Sequence, residues 1–253
     1  MLAVVRPLLP LDFARGILPT PGEEGDSKMN YSNLENQDPE VYNLIKKEEK
    51  RQKEGLELIP SENYASAAVL EAMGSILNDK YAEGYPAKRY YGGNVVIDDV
   101  ERLCQKRAKE VFGAPDYHVN VQPYSGSIAN LAAYIGSVGI GGRILAMSLE
   151  HGGHLTHGHN VSMTGKLFKF EHYGVGQNGY IDYTEVAKIA RKFKPQLIVC
   201  GATAYPRKFD FKKFRKIADS VSALLMADIS HIAGLIVGKA HPSPFPYSDI
   251  VTS

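Results

Sequence analysis

The sequence predicts an α/β protein built on a predominantly parallel sheet flanked by helices. Short apolar runs recur near 118–121, 143–147, 196–200, 223–227 and 249–252, and segments of helical periodicity separate several of them, notably 127–137, 183–193 and 211–220. Strand, helix, strand at this spacing is the pattern of a sheet closed by right-handed crossovers. Ligands in such sheets gather beyond the carboxyl ends of the strands.

The elements before the sheet read as follows. Residues 1–28 carry three prolines before position 20, a Pro21-Gly22 pair and the acids Glu23, Glu24 and Asp26, with no lasting periodicity. Arg6 and Arg15 among apolar residues admit a targeting segment, but Asp12 and the prolines oppose it. The expectation is a disordered leader or an upstream start, with Met29 as the natural initiator. Asp38-Pro39-Glu40 is a helix start, as N-cap, N1 and first-turn acid. Val41, Leu44 and Ile45 follow on one face, and Gly55 is the stop. A second helix runs from Ser66 with Val69, Leu70, Met73, Ile76 and Leu77 at helical spacing. A third spans about 96–112, with Val100, Leu103, Cys104 and Ala108 turned inward. The expected organisation is a helical arm over 29–80 and a cofactor-type large domain over 81–253.

Composition excludes several classes. The 253 residues hold 29 Lys+Arg against 28 Asp+Glu, for a formal net charge of +1, which argues against an electrostatically driven nucleic-acid or membrane-surface binder. At 44% hydrophobic and 23% charged the chain reads as globular. No apolar run approaches the roughly 18 residues of a membrane span. The two cysteines, Cys104 and Cys200, fall in a helix and a buried strand, which points to free thiols and a cytoplasmic location.

Four stretches can carry chemistry. Tyr124-Ser125-Gly126-Ser127 leaves an extended segment and opens a helix, which suits either an anion cradle or plain capping by Ser125. Leu225-Met226-Ala227-Asp228-Ile229-Ser230-His231 ends an apolar strand in a carboxylate. Asp228 can hold the proton of a heteroaromatic nitrogen, with His231 reaching another polar group, or it can cap the next turn. The stretch 151–159 holds four of the eight histidines. Zinc is the obvious alternative there, but the paired glycines Gly152 and Gly153 suit an imidazole lying flat on a planar ligand. Finally, 80–93 packs four tyrosines, Glu83 and three basic residues into a Gly/Pro-rich loop. Interface packing explains the tyrosines, and a part-buried Glu83 would suit proton transfer.

Together these stretches closely resemble serine hydroxymethyltransferase over about 29–253. The motifs that carry the resemblance are L-I-P-S-E-N-Y, K-Y-A-E-G-Y-P-A-K-R-Y-Y-G-G, N-V-Q-P-Y-S-G-S-I-A-N, H-G-G-H-L-T-H-G and A-D-I-S-H-I-A-G. The resemblance implies the large domain of an aspartate-aminotransferase-like, fold type I pyridoxal-phosphate enzyme. It implies transfer of the hydroxymethyl group of serine to tetrahydrofolate, giving glycine and 5,10-methylenetetrahydrofolate. By the same resemblance Ser125, Gly126 and Ser127 meet the cofactor phosphate, His154 stacks on the ring, Asp228 pairs with the ring nitrogen, and His231 sits near the ring hydroxyl. Thr203 touches the cofactor, and Ser61 contacts the amino-acid carboxylate. Leu149, Gly153 and Leu155 line the folate site beside His154. Tyr81, Glu83 and Tyr91 enter from the partner subunit of a homodimer, with dimers able to pair into a tetramer. Glu83 moves protons between the hydroxymethyl group and the folate. No metal site is implied.

The sequence departs from the family pattern at Tyr124, where histidine is common, and at Ser230, where alanine is common. The resemblance also places the Schiff-base lysine and a small C-terminal domain beyond Ser253. The expectation is therefore that this chain is inactive alone as a fragment. A non-catalytic cofactor-binding or dimer-modulating short form is the alternative.

Overall fold

The computed structural model describes residues 30–59 and 61–253, which fall into two compact units, 30–100 and 101–253. The expectations for 1–28 lie outside the described residues.

In the first unit, α1 (Ser32–Gln37) and α2 (Pro39–Glu54) meet at Asp38, whose side chain accepts the Val41 N–H at 3.1 Å while Pro39 fills the first helical position. This is the start the sequence predicts, and Gly55 is the stop. On the apolar stripe of α2 Val41 and Leu44 are exposed and Ile45 is half-buried. The predicted second helix is shorter than its periodicity. α3 (Ala67–Met73) stops at Gly74, and Ile76–Asp79 continues as a 3-10 turn capped by Ser75. The two-residue strands β1 (Gly84–Tyr85) and β2 (Lys88–Arg89) form a hairpin within the tyrosine-rich loop. α4 (Val95–Phe112) begins in this unit and ends in the next. Ala108 is buried as expected, but Val100 and Leu103 are exposed.

The second unit is the predicted sheet. α5 (Gly126–Val138) leads to β3 (Arg143–Met147). Then follow α6 (Met163–Leu167), β4 (Lys169–Tyr173), α7 (Tyr183–Phe193), β5 (Leu197–Cys200), α8 (Phe211–Ser220), β6 (Leu224–Asp228), α9 (Ala233–Val237) and β7 (Ile250–Thr252). The strands lie parallel in the order β4-β3-β5-β6-β7. Alternate residues serve opposite faces. Leu145, Met147, Ile198, Cys200 and Leu225 pack with Val186 and Ala190 of α7 and Phe211 and Phe214 of α8, whereas Ile144, Ala146, Leu197, Val199 and Met226 pack with Tyr134 of α5. Both faces are covered, which is why these strands read as continuous apolar runs. Each fully buried Leu or Ile side chain contributes about 1.5–3 kcal/mol.

Two differences from the sequence reading have clear causes. Residues 118–121 join no ladder; Val119 is buried while the Asn120 side chain accepts the Gln122 N–H at 2.9 Å, turning the chain locally. β4, Lys-Phe-Glu-His-Tyr, was not anticipated: it is an edge strand, and its charged residues break the apolar run that marks the inner strands. Among the described residues no helix is long and apolar enough to cross a membrane, and Cys104 and Cys200 are both free.

The ends of β5 and β6 approach too closely for a side chain at Gly201, where an added Cβ would stand 2.1 Å from the Asp228 carbonyl oxygen and φ is +150°. Gly201→Ala is expected to lower stability by about 2 kcal/mol or more in urea unfolding. Gly234→Ala, in α9 with nothing within 4 Å, should be neutral or stabilising by up to about 1 kcal/mol. Similar losses for both would contradict this account of the strand ends.

Candidate functional site

β3 and β5 are neighbours whose following connections run to opposite sides of the sheet, so a crevice is expected at their carboxyl ends. The loops leaving these two strands are joined there. Gly152 O accepts from Thr203 N at 2.7 Å and from Ala204 N at 3.1 Å. A side chain at Gly152 would strike the Ala204 carbonyl carbon at 3.0 Å, at a φ of +106°, and one at Gly153 would lie 2.2 Å from Met147 O. The paired glycines thus fold the loop back onto the end of β3, and in doing so deliver His154 and His157.

At the next strand end stands Asp228, buried and hydrogen-bonded at both oxygens. His157 Nε2 and Asn130 Nδ2 each lie 2.9 Å from Oδ2, while Ser230 N and Oγ lie 3.2 and 2.7 Å from Oδ1. Burial alone would push the carboxyl upward. The donors from His157, Asn130 and Ser230 outweigh it and hold Asp228 well below the usual carboxylate range. The residue is therefore held as a negative charge, and by accepting from Ser230 N it also caps the next turn, the other role that the sequence allowed.

Directions within this network follow from its partners. His154 N donates to His157 Nδ1 at 3.2 Å, so His157 carries its proton on Nε2, toward Asp228. Thr156 N donates to His154 Nδ1 at 3.2 Å, and Thr156 Oγ1 lies 2.7 Å from the same nitrogen. Asn130 Nδ2 donates to Thr156 Oγ1 at 2.9 Å, leaving that hydroxyl proton for His154, and Asn130 Oδ1 accepts from Thr252 Oγ1 at 2.8 Å. His154 is half-buried; desolvation and then the neighbouring His157 hold it below its usual value and outweigh the pull of Asp228, so its imidazole is neutral at pH 7.

Ser125 caps α5, its hydroxyl accepting the Ile128 N–H at 3.4 Å, and the first-turn N–H groups of Gly126 and Ser127 have no carbonyl of their own helix to bind. Ser127 is exposed beside them. Capping and anion binding are thus compatible at this helix start. A Cβ on Gly126 would come within 3.2 Å of Ser230 Oγ, which brings the start of α5 next to Asp228.

The model of the serine hydroxymethyltransferase family matches residues 34–253. The chain belongs to this family. The serine hydroxymethyltransferase of a Nitratiruptor species is 58% identical over 220 residues, covering 87% of this chain and 52% of its own length. That of Desulfotalea psychrophila is 54% identical over 231 residues, covering 91% of this chain and 53% of its own. The chain spans about half the length of the curated relatives it matches.

Serine hydroxymethyltransferases are pyridoxal-phosphate-dependent transferases of fold type I that use tetrahydrofolate as co-substrate, and the parallel sheet agrees with that fold. Of the residues singled out from sequence, the second unit brings together Ser125, Gly126, His154 and Asp228, with Thr203 at the crevice and His231 close enough to His154 to disfavour its charging. Leu149 and Leu155 are exposed on either side of buried Gly153. Ser61, Tyr81, Glu83 and Tyr91 belong to the first unit, where all four are exposed. Sequence reasoning missed Asn130, Thr156, His157 and Thr252 as site residues. Among the described residues no three His, Cys, Asp or Glu side chains gather as a metal-binding group.

Acid should weaken this site in two steps. The neutral form of His154 is favoured in the folded state, so its contribution is complete above its usual value of 6.5 and fades as pH falls below it. Asp228 contributes fully above 3.8 and fades as pH falls toward its lower folded value. Urea midpoints between pH 7.5 and 3 should therefore fall first below about pH 6.5 and again below about pH 4. In Asp228→Asn the protein should be less stable at pH 7 and the second fall shallower. An identical acid limb in the variant would remove Asp228 as its source.

Proposed function

We propose that the chain acts in glycine/serine hydroxymethyl transfer: the reversible movement of the serine hydroxymethyl group to tetrahydrofolate, giving glycine and 5,10-methylenetetrahydrofolate. The observation that carries this reading is the buried, ionised Asp228 next to the open N-terminus of α5. An anionic carboxylate and an anion cradle side by side fit a ligand that joins a protonated ring nitrogen to a phosphate. When bound there, pyridoxal 5′-phosphate supplies an electron sink.

The chain's own residues do the rest. Asp228 keeps a proton on the ring nitrogen. His154, neutral and fixed through Nδ1, lies against the ring face without repelling a cation. Ser125, Gly126 and Ser127 receive the phosphate, Thr203 closes the crevice side, and His231 serves the ring hydroxyl. Ser61 orients the amino-acid carboxylate, and Leu149, Gly153 and Leu155 offer an apolar rim to the folate. Tyr81, Glu83 and Tyr91 serve the site of a partner subunit in a homodimer, with Glu83 moving the proton between hydroxymethyl group and folate. Exposed Tyr81, Tyr85, Tyr90 and Tyr91 support an interface there. One-carbon metabolism in the cytoplasm, including serine use and glycine formation, belongs to the same proposal and is supported by the two free cysteines. Residues 1–253 taken by themselves are proposed to turn over no serine, since the family pattern puts the Schiff-base lysine further along.

Joined to the remaining half of the Nitratiruptor relative, the chain should convert serine and tetrahydrofolate to glycine. Asp228→Asn should lower kcat by about 10²-fold or more while leaving a folded protein. Unchanged turnover in that variant would defeat the assignment of Asp228. Sedimentation equilibrium of the joined protein should give a dimer or a pair of dimers; a monomer would remove the shared-site reading.

A further inference from the structure

Four donors address the Asp228 carboxylate, which has about four lone-pair sites to offer. Two of them cannot leave. His157 is held at its other nitrogen by His154 N, and Asn130 by Thr252. A third, Ser230 N, is backbone. The fourth, the Ser230 hydroxyl at 2.7 Å, turns about a single bond. It lies 3.2 Å from the position of a Cβ on Gly126, on the ground between the carboxylate and the start of α5.

We propose that the Ser230 hydroxyl is a placeholder on Asp228, satisfying Oδ1 when no cation is present and yielding that oxygen to the protonated ring nitrogen of a pyridoxal-phosphate-type ligand. This rests on the cofactor reading above. A ring N–H needs a carboxylate lone pair directed at it, and on a carboxylate already holding four donors it must replace one. Ser230 Oγ is the donor whose release breaks nothing else, since Ser230 N keeps its own bond to Oδ1. Its charge-assisted hydrogen bond is lost when such a ligand binds, so Ser230 loosens the site for ligands with a ring N–H and is indifferent to ligands without one. It is a specificity-determining residue acting through Asp228.

The test is calorimetric binding of pyridoxine 5′-phosphate, and of its 1-deaza analogue in which C–H replaces the ring nitrogen, to the 253-residue chain. Ser230→Ala should tighten pyridoxine 5′-phosphate about 3- to 10-fold and leave the analogue within about twofold. Ser230→Cys, with a weaker donor, should fall between, and keeps the test open should the alanine variant fold poorly. Unchanged or weaker binding of pyridoxine 5′-phosphate in the variants overturns the placeholder role, as does equal tightening of both ligands. A folded wild-type chain that binds neither ligand overturns the cofactor reading and this inference with it. Binding by wild type that does not respond at position 230 overturns the inference alone.

Discussion

A carboxylate kept ionised inside the protein is the constraint around which the second unit is arranged. Removing such a charge from water costs several kcal/mol even after relaxation, and only close donors offset it. For Asp228 these come from three separate places in the chain: Asn130 inside α5, His157 from the loop after β3, and Ser230 just beyond its own strand. The strand order brings those places together. β6 must end beside the return of the β3 loop, and α5 must cross the sheet with its N-terminal turns over the same edge. The apolar packing on both faces fixes the strands, and the strands in turn fix the donors.

The same network governs the imidazole that faces the crevice. A hydroxyl has one proton to give, so the order Thr252, Asn130, Thr156, His154 runs in one direction only. Reversing the Asn130 amide would set its oxygen against the Asp228 carboxylate, and the charge therefore chooses the orientation. With Asn130 so placed, Thr156 is left to donate to His154 Nδ1, which settles the tautomer. The negative charge and the neutral ring are two results of one arrangement, although Asp228 and His154 make no hydrogen bond to each other among those described.

How far this was legible in the sequence depends on distance along the chain. The helices at 183–193 and 211–220 match their periodicity residue for residue, because Asp182 and Asp210 cap them and their apolar faces repeat locally. The inner strands were legible for the same reason, and so was the carboxylate at the end of β6. The partners of Asn130 were not: Thr156, Asp228 and Thr252 lie 26, 98 and 122 residues away, and an asparagine within a helix carries no local mark of them. His157 stood in plain view among the clustered histidines but could not be told from its neighbours. Which ring meets the carboxylate is decided by where Gly152 and Gly153 fold the loop. β4 escaped notice because an edge strand keeps charges that an inner strand cannot.

In the first unit no apolar side chain is fully buried among the described residues. Its tyrosine-rich loop is shaped by one ion pair: Arg89 Nε meets Asp98 Oδ1 at 2.8 Å, while Arg89 Nη1 reaches Ala82 O and Gly84 O at 2.7 Å and Asp98 Oδ2 accepts Ala87 N at 2.6 Å. A buried pair of this kind adds little net stability, but its forked geometry determines where each strand of the hairpin stands. Ala87, at a φ of +64°, is held in a backbone state that alanine rarely adopts, and the Asp98 carboxylate anchors it there. Tyr81 and Tyr91 stand edge to face at 5.9 Å on that frame, both exposed. Two rings already packed against each other have less conformational freedom left to lose than two that are not.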